Sequence, residues 1–182
     1  MIPFDLDHAL VSQFIETARA GEPAGQLMAF AFHDEDILGT HLKLFVNASG
    51  QAEAFAAARR ARGEIDRLDR VLNWRLEDSE LSRLNRAERS VVSADLFAVI
   101  KAAEHWRRAS NGAYSGRLGR LGDLWRAAHD ALPDRQDCLR LAQAVNAAEV
   151  ELDAESRTIF RPDVVRFDLD GLAKGYIIDR AL

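Results

Sequence analysis

The sequence predicts an α+β fold, an antiparallel sheet with two long packed helices, and three observations carry that prediction. First, LMAFAFH (27–33) and LGTHLKLFV (38–46) alternate apolar and polar residues with period two, the pattern of paired strands. Second, the period then changes: Ala58, Ala61, Ile65, Leu68 and Leu72 step by three and four along a helix over 51–73, with Arg59, Arg60, Arg62, Asp66 and Arg70 outside the stripe. Third, helices and strands are interspersed without a regular βαβ rhythm, which favours α+β over a parallel sheet.

Taken in order, residues 1–26 read as an N-terminal helical flank, with Leu6, Leu10, Phe14 and Ile15 at helical spacing before Gly21-Glu-Pro-Ala-Gly25. Residues 27–182 form the main domain. Its first two strands are joined by the acidic turn Asp34-Glu-Asp36. After the 51–73 helix, Asp78-Ser79 offers an N-cap to a short turn, SELSRLN. Ser93 caps a second long helix over 94–109, with Leu96, Phe97, Ile100, Ala103 and Trp106 as its buried face. The glycine-rich stretch 111–130 is irregular at its start, and Pro133 opens a helix through about Val145. VELD and TIFRP flank Ala154-Glu-Ser-Arg157 as a second hairpin, and Val165-Arg-Phe-Asp168 is a short strand.

Composition excludes several functions. The chain of 182 residues carries a net charge of −5, with Lys and Arg spread along it, so nucleic-acid binding has no electrostatic footprint. No apolar run is long enough for a transmembrane segment. The N-terminus lacks a basic stretch followed by an apolar core and shows no export signal. The single Cys138 excludes an intrachain disulfide, and with 5 His beside it no Cys/His zinc constellation is expected.

Four stretches can carry chemistry. DLDGLAKGYIID (168–179) runs from a strand into a helix through Gly171 and Gly175, which permit close backbone approach. The helix N-terminus and Lys174 there suit a phosphate or diphosphate, and the same residues equally describe a plain strand–helix corner with a solvated lysine. Ser110-Asn-Gly-Ala-Tyr-Ser-Gly116 reads by itself as a helix C-cap and turn. Trp74 is either core or a stacking surface for a planar ligand. Leu38-Gly39-Thr40 opens a strand with a glycine, where something often approaches the backbone.

The order of these features is more informative than any one of them. LGT, DSELSRLN, SNGAYS followed by DLW, and DLDGLAKGYIID together resemble the ApbE family, the FAD:protein FMN transferases, over residues 37–182. In that family the stretches typically read MGT, a DSELSRLN-like segment, SxGAFD…PL…LW, and DLGGIAKGYAVD. The resemblance implies Mg2+-dependent cleavage of FAD at its diphosphate and transfer of FMN to a Thr or Ser of a target flavoprotein. It implies flavin-nucleotide contacts at Leu38, Trp74, Ala113, Tyr114, Ser115, Asp170, Lys174 and Tyr176, and a main-chain carbonyl ligand to the metal at Ala173. Ser115 stands where the family has Asp. Asp170 replaces the first glycine of a GG pair and places a carboxylate where it could join the metal site. Members of the family are mostly bacterial and often exported as lipoproteins.

The family pattern continues into an H-x-x-DPRTG-like stretch and an Asp…Ser/Thr pair that complete the metal site, and these 182 residues contain neither. The expectation is therefore a fragment or a shortened homolog, inactive in transfer by itself. A flavin-binding protein that never transfers FMN, and a pyrophosphatase that hydrolyses FAD to FMN and AMP, are the competing readings.

Overall fold

The structure, a computed structural model, describes residues 27–129 and 131–182, and the expected helical flank at 1–26 lies outside them. They fall into two compact units, one of residues up to Asp66 with Arg180–Leu182 and the other Arg67–Asp179.

In the first unit, strands β1 (Met28–Ile37) and β2 (Thr40–Ala48) form an antiparallel hairpin, followed by the start of helix α1 (Gln51–Leu72). Alternation works as the sequence predicts. Phe30 and Phe32 lie opposite Val46 and Leu44, and this face meets Ala54, Phe55 and Ala58 of α1 in one apolar cluster. The rings of Phe32 and Phe55 meet edge to face at 5.3 Å. The turn is not where the acidic run suggested. Asp34 stays in β1, opposite Leu42 and ion-paired with Arg62, and the chain reverses at Leu38-Gly39. Both turn residues have positive φ, 54° and 69°, as a two-residue hairpin turn requires.

The second unit holds the remainder of α1, helices α2 (Glu80–Leu84), α3 (Ala94–Ala109), α4 (Gly119–Ala127), α5 (Arg135–Ala147) and α6 (Asp170–Ala181, as far as Asp179), and a small sheet. Ser79 and Ser93 cap α2 and α3 as predicted, accepting from Ser82 N and Leu96 N. The sheet is β4 (Glu151–Asp153) and β5 (Thr158–Phe160), the expected hairpin, plus an unexpected strand β3 (Arg89–Val91) on the other edge of β5. The described residues thus form two small sheets rather than one. Leu68, Leu72, Leu81, Leu84, Leu96, Ile100, Ile159, Phe167, Leu169 and Ile177 are buried in this unit.

Two further expectations need correction. Trp106 is 52% exposed. The stripe on α3 centres between Leu96 and Ile100, and Trp106 lies about 100° round from that centre at 100° per residue. Glu104 takes the inward position instead. Residues 165–168 do not form a strand; Arg166 makes one isolated parallel bridge to Leu118.

Candidate functional site

The site grows from the N-terminus of α6. Leu169, Ala173 and Ile177 are buried and fix the helix to the core, while Lys174 and Gly175 face outward. The turn into the helix is held by the Asp168 carboxylate, which accepts from Asp170 N at 3.1 Å. Gly171 is required by contact: a Cβ there would stand 3.0 Å from Cε2 of Tyr114, so the phenol ring lies directly against the α6 backbone. The Tyr114 hydroxyl is buried and, among the described residues, has no hydrogen-bond partner. Burial first, then the negative charges of Asp168 and Glu104, hold its pKa above the ordinary tyrosine value.

Asp168 is also displaced. Burial is the main cause of its raised pKa; the nearby Asp170 charge adds to it, and the Asp170 N–H, Arg75 and Arg126 oppose it. Asp170 accepts from Arg75 Nη1 at 2.8 Å across a 95-residue separation. Arg75 in turn lies over the Trp74 indole, 4.3 Å from its centroid, and Arg126 lies 4.6 Å from the same ring. The Trp74 Nε1 donor is buried and likewise unpartnered among the described residues. Two carboxylates, two guanidiniums and two orphaned polar atoms therefore converge on one helix end.

The frame that holds this end is polar. The Asn85 side chain donates to Phe167 O at 2.9 Å and accepts from Phe167 N at 2.8 Å, tying DSELSRLN to the approach of DLDG. Buried Arg161 donates to the C-terminal carbonyls of α2, at Leu84 and Asn85, and to Val165 O. Beneath the Ser110–Gly116 turn, Arg117 makes a buried bidentate pair with Glu104 at 2.6 and 2.7 Å and donates to Val145 O and Ala148 O. Trp74 and Arg75 also border a cavity of about 660 Å³ whose wall includes Arg86, Arg120, Arg166 and Asp163. Of its four guanidiniums, Arg75, Arg120 and Arg166 are already paired with Asp170, Asp163 and Asp123, so phosphate oxygens would have to exchange with those carboxylates.

The residues expected from the sequence distribute unevenly. Tyr114 and Asp170 lie at the helix end, Trp74 is linked to it through Arg75, and Ala173 sits in its first turn. Ala113 is exposed beside them in sequence, with its N–H on Ser110 O. Ser115 accepts from Arg117 N at 3.2 Å, a local turn bond. The Tyr176 hydroxyl is committed to Asp95 at 2.7 Å, which anchors α6 to the start of α3. Lys174 is exposed on the outer side of α6. Leu38 belongs to the first unit, at the hairpin turn. Arg75, Arg126 and Asp168 were not singled out by the sequence. Asp168 opens the DLDGLAKGYIID motif, and Arg75 and Arg126 follow Trp74 and DLW; contact with Asp170 and Trp74 distinguishes the two arginines from surface charges.

The family model for the ApbE family matches residues 38–182. The chain belongs to the ApbE family. Curated relatives named FAD:protein FMN transferase include one from Vibrio cholerae, 31% identical over 142 residues, and one from Chlamydia muridarum, 27% identical over 140. Each alignment takes in 71% of this chain but 42% and 44% of the relative, so the chain spans less than half the length of these ApbE proteins. Among solved structures, the ApbE protein of Thermotoga maritima has a TM-score of 0.71 at 24% identity, covering 85% of this chain and 51% of that one. The flavin transferase ApbE from Vibrio cholerae gives 0.68 at 22%, covering 85% and 52%. These likenesses bear out the mixed helix-and-sheet, ApbE-like fold.

Proposed function

We propose that this chain supplies the flavin-nucleotide-binding part of an FAD:protein FMN transferase, acting on FAD and on a Thr or Ser hydroxyl of a target flavoprotein. The observation that supports it most is the convergence of Trp74, Arg75, Tyr114, Asp168 and Asp170 on the N-terminus of α6, beside an arginine-lined cavity. The positive helix end and the guanidiniums bind diphosphate oxygens. The Trp74 Nε1 and Tyr114 hydroxyl are buried without partners among the described residues, and a nucleotide that displaces the groups covering them would satisfy both. Ala113 and Ser115 are proposed as the rim of the Tyr114 turn, and Lys174 and Tyr176 as outer contacts.

The donor set fits a hard cation. Burial above all raises the Asp168 pKa and the neighbouring Asp170 charge adds to it; a divalent ion beside them would favour the ionised carboxylates. Both carboxylates and the Ala173 carbonyl are oxygen donors of the kind Mg2+ takes, waters completing its shell. Bound there, Mg2+ would neutralise charge on the diphosphate as AMP leaves. Asp170 must first give up Arg75, and that exchange frees the guanidinium for phosphate.

The 182 residues contain no H-x-x-DPRTG-like stretch, so we expect this chain alone to bind FAD without transferring FMN. Titrating FAD into the chain, with and without Mg2+, and following flavin fluorescence tests the reading. Saturable binding weakened by Arg75→Ala supports it; binding absent from the folded chain, or indifferent to that change, sinks it. Covalent flavin on an acceptor protein in a denaturing gel would overturn the binding-only expectation. Release of FMN and AMP without an acceptor would favour the pyrophosphatase instead. A flavin binder that never transfers is favoured by two features, Ser115 in place of Asp and the Arg75–Asp170 lock. Transfer restored by extending the chain with an ApbE relative's remaining segment would exclude it.

A further inference from the structure

The outward face of the β1–β2 hairpin carries a separate cluster of donors that the flavin reading does not use. His33 and Glu35 lie two residues apart on β1, so their side chains leave the same face. The register sets His33 opposite Lys43, which makes His41, two residues nearer the turn, its diagonal neighbour on that face. Phe32 and Leu44, the neighbours of His33 and Lys43 along their strands, point the other way into the apolar cluster with α1. One ligand atom from each of His33, Glu35 and His41 lies within 4.8 Å of the other two. The two imidazoles stand 6.0 Å apart and are tilted by 54° rather than stacked, which leaves their nitrogens free to turn toward a common point.

We propose that His33, Glu35 and His41 bind a divalent transition metal of the zinc class. Two imidazoles and one carboxylate form a mixed nitrogen/oxygen set that suits Zn2+, and also Cu2+ and Ni2+, rather than Mg2+ with its demand for oxygen. Bonds of about 2.1 Å place tetrahedral ligands roughly 3.4 Å apart, closer than 4.8 Å by an amount that side-chain rotation supplies. Glu35 and His41 are exposed and His33 is half-buried, so none is locked by the core. Three protein ligands leave a fourth position to water, as in open zinc sites. Neither strand can supply the set alone. The metal therefore ties β1 to β2 just outside the Leu38-Gly39 turn and stabilises the hairpin by binding only its paired form. Lys43 sits beside His33 and opposes the bound cation electrostatically. The sequence, searched for Cys/His spacings, hides the set because its third member is a carboxylate and its geometry comes from strand register.

The test is Zn2+ titrated into the purified chain by calorimetry, with histidine side-chain NMR to locate it. One saturable Zn2+ is expected, with a raised melting temperature and resonance shifts at His33 and His41 but not at His105 or His129. His41→Ala and, separately, His33→Ala should weaken it roughly tenfold or more. Lys43→Ala should tighten it, and Cys138→Ser should leave it unchanged. Circular dichroism confirms that each variant is folded, and exposed His41 provides the safer one. The site is rejected if Zn2+ does not bind saturably, or if binding survives in the folded His33→Ala/His41→Ala double variant, which would put the metal elsewhere.

Discussion

Asp170 and Arg75 are bound to each other at 2.8 Å although 95 residues separate them. The pair joins the loop after α1 to the helix end where the family carries glycine. Both side chains are substantially exposed, at 40% and 59%, so the contact is worth at most about 1 kcal/mol to folding. Its weight falls on the ligand side: the carboxylate repels a diphosphate and occupies the guanidinium that would bind one.

Asp170→Gly is accordingly expected to change the urea midpoint little and to tighten metal-free FAD binding several-fold. Arg75→Ala should weaken binding, and the double variant should resemble Arg75→Ala. If Asp170→Gly instead weakens metal-free binding, the carboxylate is a direct ligand contact. In the presence of Mg2+ the sign should reverse, because Asp170 then serves the cation.

The parts legible in the sequence are those that local rules decide. The α1 stripe was complete, and Ser79 and Ser93 each cap the helix they precede. What was missed depends on distant partners. Strand β3 has only three residues and exists because β5 offers an edge. Helix α4 begins in a glycine-rich run because Gly119 passes under Arg166; a Cβ there would stand 2.7 Å from the Arg166 Cγ. The sequence singles out neither Arg117 nor Arg161, yet both are buried and hold the frame of the site. Half of the candidate site was visible as motif, in Trp74, Tyr114 and Asp170. Arg75 and Arg126 are defined by their contacts with Asp170 and Trp74, and Asp168, though inside the motif, is marked out by its burial.

The Arg117–Glu104 pair yields a stability prediction. Both groups are almost fully buried; removing Glu104 leaves the Arg117 charge with only two carbonyls, and removing Arg117 leaves Glu104 with only the Arg107 contact at 3.3 Å. Glu104→Ala or Arg117→Met alone should therefore cost about 3–5 kcal/mol, read from urea unfolding. The double variant Glu104→Leu/Arg117→Met should recover a good part of that loss. Equal losses in single and double variants would mean that Arg117 acts mainly through Val145 O and Ala148 O.

Leu38 is a non-glycine residue at φ 54°, in a turn that needs positive φ at both positions. Such a conformation costs a branched residue about 1–2 kcal/mol, and Asn bears it far more easily. Leu38→Asn should therefore raise the melting temperature by roughly 2–4 °C for a gain near 1 kcal/mol. Scanning calorimetry reads the shift, and an unchanged or lowered melting temperature would mean that the turn bears Leu38 without strain.

Tyr114 offers the sharpest link between stability and ligand. Its hydroxyl is buried and unpartnered among the described residues, and its pKa is raised by burial above all. Tyr114→Phe should then leave stability at neutral pH unchanged or improve it by up to about 1–3 kcal/mol, the cost of an unsatisfied buried group. The alkaline limb fixes the sign independently. The unfolded chain ionises this phenol near pH 10 while the folded chain still holds the proton, so the folded state binds more protons there. The contribution is intact below about pH 10 and is lost as pH rises through the higher folded value. Alkaline destabilisation should thus be shallower in Tyr114→Phe. With only two tyrosines in the chain, titration of the phenolate absorbance should show one late component that the variant lacks. FAD should reverse the neutral-pH ranking: if the nucleotide partners the hydroxyl, the wild type gains more stability from FAD than the variant does. Equal gains would leave Tyr114 as packing against Gly171 and nothing more.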